Sequence, residues 1–260
     1  MARVEDAQKA FESKNVEATK KAHFKEDIAN DKHSKEKGKY VGDMVYGALD
    51  GTVTTFAIVS GVQGANLSSS IVLILGFANL IGDGLSMAIG NYLGTKSEIE
   101  YIKKEREREE WEVENYPKGE IEEIREIFRK KGFKGKDLER AVKIVTSDKK
   151  IWVDTMMLDE LGLTSEDKTP FYSGLATFIA FIIAGFVPLL AFVISLFYPF
   201  ELVFEVSIAL TAMILFIAGA LRTLLTGRNW MKSGLEMLFV GSIAASVAYL
   251  VGYLLRGLGA

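Results

Sequence analysis

The chain has 260 residues, a formal net charge of −3, and 49% hydrophobic beside 25% charged residues. It contains no cysteine, which excludes a disulfide framework and a thiolate metal site. The near-neutral charge argues against a nucleic-acid partner.

Hydrophobic and charged residues coexist at these levels only when they are segregated, and they are. Residues 1–40 and 94–170 are highly charged, whereas 41–93 and 171–258 carry few charges. The pattern is that of an all-α membrane protein with a sizeable aqueous insert.

Residues 1–40 read as a polar arm without a sustained apolar face, with a weak helix expected over Ala7 to Ala18 and no cleavable signal peptide. The arm holds both histidines, His23 and His33, which are expected to be surface residues.

Residues 41–93 form the first two spans, about 41–62 and 69–93, joined by the turn Gln63-Gly64-Ala65-Asn66-Leu67-Ser68. A span needs roughly 20 mainly apolar residues. Both segments also carry groups that hydrocarbon rejects, and ionisable residues inside spans are by default functional. Positions four and seven apart share a helix face, which groups Asp43, Gly47, Asp50 and Thr54 in the first span. In the second span the face is Asn79, Asp83, Ser86, Met87 and Gly90. Two such stripes in antiparallel neighbours can line a pathway. Hard oxygens with one thioether suit a borderline transition metal better than magnesium or calcium. The alternative is that Asp43 lies at the water interface and the others make helix-helix hydrogen bonds.

After Gly94-Thr95-Lys96 the chain becomes charged, and residues 94–170 read as a helical insert. A charged helix is expected over Ser97 to Glu114, ended at Pro117. Amphipathic helices follow at about 119–131, 136–147 and 149–161, the last stopping at Gly162. Glu109 and Glu112 share one helix face, and Glu120 and Glu123 repeat the spacing beyond the proline. Folding at Pro117 would bring these near Met156, Met157 and Glu160, a set suited to ferrous iron or a similar ion. Equally, glutamate runs are commonly solvated faces paired with Lys and Arg, and methionines at helical spacing are commonly core.

Three more spans are expected at about 171–196, 203–223 and 234–255. Gly185 and Pro188 should kink the third, and the small residues of the fifth predict a close helix-helix contact. Arg222, Arg228 and Lys232 fall on the same side as the arm and the insert, while the loops at 63–68 and 198–201 carry no Lys or Arg. The positive-inside rule therefore puts the N-terminus and insert in the cytosol.

Several stretches resemble the vacuolar iron transporter family. They are Asp50-Gly51-Thr52-Val53-Thr54-Thr55-Phe56, Leu85-Ser86-Met87-Ala88-Ile89-Gly90-Asn91-Tyr92-Leu93 and Lys96-Ser97-Glu98. Met156-Met157, Glu160-Leu161-Gly162-Leu163 and Gly185-Phe186-Val187-Pro188-Leu189 follow in the same order. The resemblance covers roughly 38–256 and leaves the arm outside. It implies a dimeric divalent-metal/proton antiporter, not an enzyme, that moves ferrous iron and often manganese out of the cytosol. Cobalt and zinc are further candidate substrates, and no cofactor is expected. The membrane would be the cell membrane in a prokaryote and the vacuolar membrane in a eukaryote. Carried over, the pathway falls on Asp43, Asp50 and Met87. The cytosolic metal site falls on Glu109, Glu112, Glu120, Glu123, Met156, Met157 and Glu160. Where iron-transporting plant members have a glutamate, this chain has Asn79, which cannot take a proton at neutral pH. Asp83, one turn on, is expected to substitute.

Two other classes compete. A membrane-anchored ferritin-like iron oxidase or storage protein uses Glu-x-x-His pairs on facing helices, and no histidine follows His33. A metal-gated channel would move metal without opposing protons.

Overall fold

The computed structural model describes residues 9–11, 13–23, 38–164, 168–226 and 229–258. Among these residues there is no strand, and five helices are long and apolar enough to cross a bilayer. His33 and Arg228 lie outside the described residues, as does the side chain of His23.

In the arm, the helix expected over Ala7 to Ala18 is interrupted: residues 9–11 are helical, and α1 spans Val16–His23. Lys14 takes a left-handed φ of 52° and breaks the backbone before it. Asn15 then caps the new start, its Oδ1 accepting from Ala18 N–H at 3.0 Å.

The first span is α2, Val41–Gly64, and the second begins α3, Ser69–Asn115. The turn between them places Asn66 at φ 58°, a left-handed conformation that asparagine tolerates. By sequence the second span ends at about 93 and a charged helix opens at Ser97, yet α3 runs through Gly94 uninterrupted for 47 residues. That length is about 70 Å, against a hydrocarbon core of about 30 Å. One glycine costs a helix only about 1 kcal/mol. The stretch beyond it has strong helix formers and i,i+4 pairs at Lys96–Glu100, Lys103–Glu107 and Arg106–Glu110. The second span therefore continues as a rod into the insert.

The insert continues with α4 (Pro117–Lys130), α5 (Gly135–Val145) and α6 (Lys149–Thr155), which passes into a π-helical turn at Met156–Glu160. Pro117 stands at the start of α4, where a missing N–H costs nothing. Asp148 caps α6, accepting from the N–H groups of Lys150 and Ile151 at 2.9 and 3.1 Å. The apolar faces close on one core of Val113, Ile124, Ile127, Leu138, Val142, Trp152, Val153, Met156 and Met157. Ion pairs fasten its rim: Arg106–Asp154 at 2.6 Å and Lys149–Glu114 at 2.5 Å tie α6 to α3. Arg125–Glu139 at 3.0 Å ties α4 to α5.

The third span is split into α7 (Pro170–Phe186), a 3₁₀ turn at Val187–Leu189, and α8 (Leu190–Phe197). This is the kink expected at Gly185 and Pro188. A neighbour satisfies the carbonyl there: buried Ser207 donates its hydroxyl to Pro188 O at 2.6 Å. The last spans are α9 (Val203–Thr226) and α10 (Trp230–Leu254).

α2 is the central helix of the bundle. A Cβ added at Gly47 or Gly51 would stand 2.3 or 2.5 Å from the carbonyl oxygens of Thr177 and Phe181, so α2 and α7 pack backbone to backbone. On the opposite side a Cβ added at Gly252 of α10 would stand 2.0 Å from the Gly61 carbonyl oxygen, which realises the close contact expected of the fifth span. Ser242 and Ser246 of that span instead point outward and bond to their own helix.

Candidate metal sites

The fold at Pro117 lays the start of α4 against the end of α3. Oxygens of Glu109, Glu112 and Glu120 consequently lie within 4.8 Å of one another. Glu109 is 1% exposed and Glu120 5%, which is unusual for carboxylates without a matching number of cations. Arg108 is the cation at the cluster. It donates to Glu112 and to Glu105, each at 3.0 Å, and forms an ion pair with Glu109 at 2.8 Å. One oxygen each of Glu109 and Glu120 remains buried with no hydrogen-bond partner among the described residues. Such orphaned acceptors are costly and call for an explanation.

The electrostatics follow from that burial. Glu109 is pushed up to about 7, chiefly by desolvation; Arg108 opposes this, and the charges of Glu160, Glu112 and Glu123 add to it. Glu120 also rises to about 7, by desolvation first and then by repulsion from Glu123, Glu109, Glu112 and Glu160. Glu160 is raised by partial burial of its carboxyl and by Glu123, with which it shares a hydrogen bond. Glu123 and Glu160 are themselves exposed, so they stand at the mouth of the cluster and the Glu109–Glu112–Glu120 trio lies within.

Met156 and Met157 are 0% and 5% exposed. Two successive residues both face inward because the helix widens here, Leu161 N–H reaching back to Met156 O at 3.2 Å across a π turn. Such turns are frequent at functional sites. Both methionines are packed in the apolar core of the insert, and the oxygens of Glu109, Glu112 and Glu120 are the donors that come together, a hard-oxygen set able to hold a divalent cation.

In the spans the two polar stripes meet in part, whereas Ser86 and Gly90 of the expected α3 face are exposed. Asn79 Nδ2 lies 3.5 Å from Thr54 Oγ1 across α3 and α2. Asp83 acts electrostatically on Asp50 one turn further along. Gly47 departs from its expected place: it is buried against α7 and is not on the face toward α3. Asp43 is not simply at a water interface. Its Oδ1 accepts from Asn91 Nδ2 at 3.1 Å, and its Oδ2 is buried without a partner among the described residues. Sequence reasoning assigns no role to Asn91. The usable signal was its register, since 79, 83, 87 and 91 are spaced by four and share one face of α3.

The VIT family model matches residues 41–253. A vacuolar iron transporter of Toxoplasma gondii is 38% identical over 264 residues, covering 96% of this chain and 87% of that protein. One from Plasmodium berghei is 36% identical and covers 96% of both chains. Vacuolar iron transporter 1 of Arabidopsis thaliana is 35% identical over 82% of this chain and 84% of its own. Coverage of 96% reaches into the N-terminal arm, so the similarity extends further than the motifs alone imply. Matched across nearly all of its five-span body and its insert, the chain belongs to the VIT family.

Proposed function

We propose that the chain is a membrane transporter, and not an enzyme, which moves ferrous iron and manganese out of the cytosol in exchange for protons. The observation that carries this reading is the trio Glu109, Glu112 and Glu120, in which Glu109 and Glu120 are buried with one orphaned oxygen each, formed where α4 folds back on the helix that also makes the second span. Met87 and Glu109 sit on that single rod, about 33 Å apart by helix rise. Residues 94–170 act as the cytosolic metal-binding domain, with Glu123 and Glu160 at its mouth and Met156 and Met157 as soft donors. Asp43, Asp50, Asn79, Asp83 and Met87 form the path across the bilayer. The N-terminal arm, residues 1–40, lies on the cytosolic side with the insert.

Proton exchange has a physical basis in both places. A carboxylate that releases a cation can take up a proton, so one site serves both fluxes. Glu109 and Glu120, at about 7, do this near neutral pH. Asn79 cannot, and Asp50 with Asp83 takes that task in the spans. The working unit is a homodimer: Gly82, Ser86 and Gly90 of α3 are exposed small residues, and the two glycines meet nothing within 4 Å. The membrane is the cell membrane in a prokaryote and the vacuolar membrane in a eukaryote.

The test is uptake of iron, manganese, cobalt and zinc into sealed proteoliposomes with internal pH recorded. Metal should enter against an opposing proton movement, and Asp50→Asn should abolish flux in folded protein. Flux without proton movement would make the protein a channel, and normal flux in Asp50→Asn would take Asp50 off the path.

A further inference from the structure

We propose that Asn91 is the positioning residue for Asp43, holding one carboxylate oxygen so that the other is left for the ion. The inference rests on the reading of Asp43 as a pathway residue.

Asn91 ends the stripe on α3 on the side where the insert begins. Its amide nitrogen meets acceptors from two other helices. Thr177 Oγ1 lies at 2.7 Å, Asp43 Oδ1 at 3.1 Å and Ser173 O at 3.1 Å. One amide has two N–H groups for these three acceptors. Ser173 and Thr177 of α7 anchor the amide, so it stays in place on Asp43 Oδ1 while Oδ2 is left for the ion.

The choice of a neutral donor matters. A Lys or Arg in this place would neutralise Asp43 and repel an arriving cation. The amide fixes the carboxylate and leaves its charge intact. Asp43 Oδ2 stays buried with no partner among the described residues, as does Ser173 Oγ. The surrounding helices cannot easily shift to supply one. A Cβ at Gly47 would meet Thr177 O at 2.3 Å, and one at Gly174 would meet Ala88 O at 2.6 Å, so α7 is pressed against α2 and α3 on either side of the amide.

The experiment uses full-length protein in sealed proteoliposomes and follows Mn²⁺ uptake for wild type, Asn91→Ala, Asn91→Leu and Asp43→Asn. Leu keeps the volume and removes the donor. A hydrogen bond to a charged group is worth enough that KM should rise at least about tenfold in both Asn91 variants. Vmax should stay within about twofold, because the bond serves binding and not the crossing step. Unchanged KM in both Asn91 variants, with Asp43→Asn impaired, overturns the proposal and leaves the pathway reading standing. A fall in Vmax and melting temperature at unchanged KM, or loss of folded protein in both, makes Asn91 merely structural and also overturns it. If Asp43→Asn transports like wild type, the assignment of Asp43 fails first.

Discussion

Metal binding by the insert should depend steeply on pH, with a sign set by the burial of Glu109 and Glu120. Both groups sit at about 7, against an ordinary value of 4.5. A cation needs them ionised, so protons compete with it. At pH 8 the competition is nearly absent, and at pH 6 it weakens binding about tenfold for each group, or about a hundredfold for the pair. At pH 7 each is about half protonated, so binding one ion should release about one proton. The assay is calorimetric titration of detergent-solubilised full-length protein with Mn²⁺ at pH 6, 7 and 8, in two buffers of different ionisation enthalpy. The double variant Glu109→Gln, Glu120→Gln supplies the baseline and should lose both the affinity and the pH dependence. A change below about threefold from pH 6 to 8, with no proton release, would refute the argument, because two half-protonated ligands cannot bind in that way. The same shift has a stability consequence in metal-free protein. The folded value lies above the unfolded one, so the contribution to stability is full below about 4.5 and is lost as pH rises through about 7. The loss is on the order of 3 kcal/mol per group. The insert should therefore melt lower at pH 8 than at pH 6 without metal, and recover when Mn²⁺ is added.

Two further outcomes follow from the contacts. Arg108 occupies oxygens of Glu109 and Glu112, so Arg108→Gln should tighten Mn²⁺ binding severalfold at pH 8; equal or weaker affinity in the same titration would mean that Arg108 holds the site together. In Gly51→Ala the new methyl would fall 2.5 Å from Phe181 O and force α2 from α7, costing about 1–3 kcal/mol and flux together; an unchanged melting temperature would show that this contact is not tight.

The spans and the kink at Pro188 are legible in the sequence because they depend on composition and on chemistry within one segment. So is the convergence of Glu109, Glu112 and Glu120, since spacing and one proline place them. What is not legible depends on competition or distance. Gly94 looks like a boundary, but a single glycine loses against the charged helix that follows it. Gly47 shares a helical face with Asp43 on paper, yet backbone contact with α7 claims it. Asn91 bonds to residues 48, 82 and 86 positions away, and no local pattern predicts those partners. The inward turn of both Met156 and Met157 needs a π turn, which sequence periodicity does not announce.

The register of α2 against α3 explains how a path for a cation can exist in hydrocarbon at modest expense. Asp43 meets Asn91, Asp50 feels Asp83, and Thr54 meets Asn79, so each step forward on α2 matches a step back on α3. A fully charged ladder would cost about 2.5–3.5 kcal/mol for every ionisable residue at mid-membrane. The stripe on α3 instead runs Asn91, Met87, Asp83, Asn79, with a single carboxylate among neutral donors of oxygen and sulfur. Successive rungs lie about 6 Å apart along the axis. A cation crossing this line would meet a carboxyl group at Asp43 and two more at Asp50 and Asp83, and softer neutral ligands elsewhere. On the proposed antiport reading, charge is thus concentrated where a proton would be exchanged for metal, and the neutral rungs would keep the ion solvated without holding it.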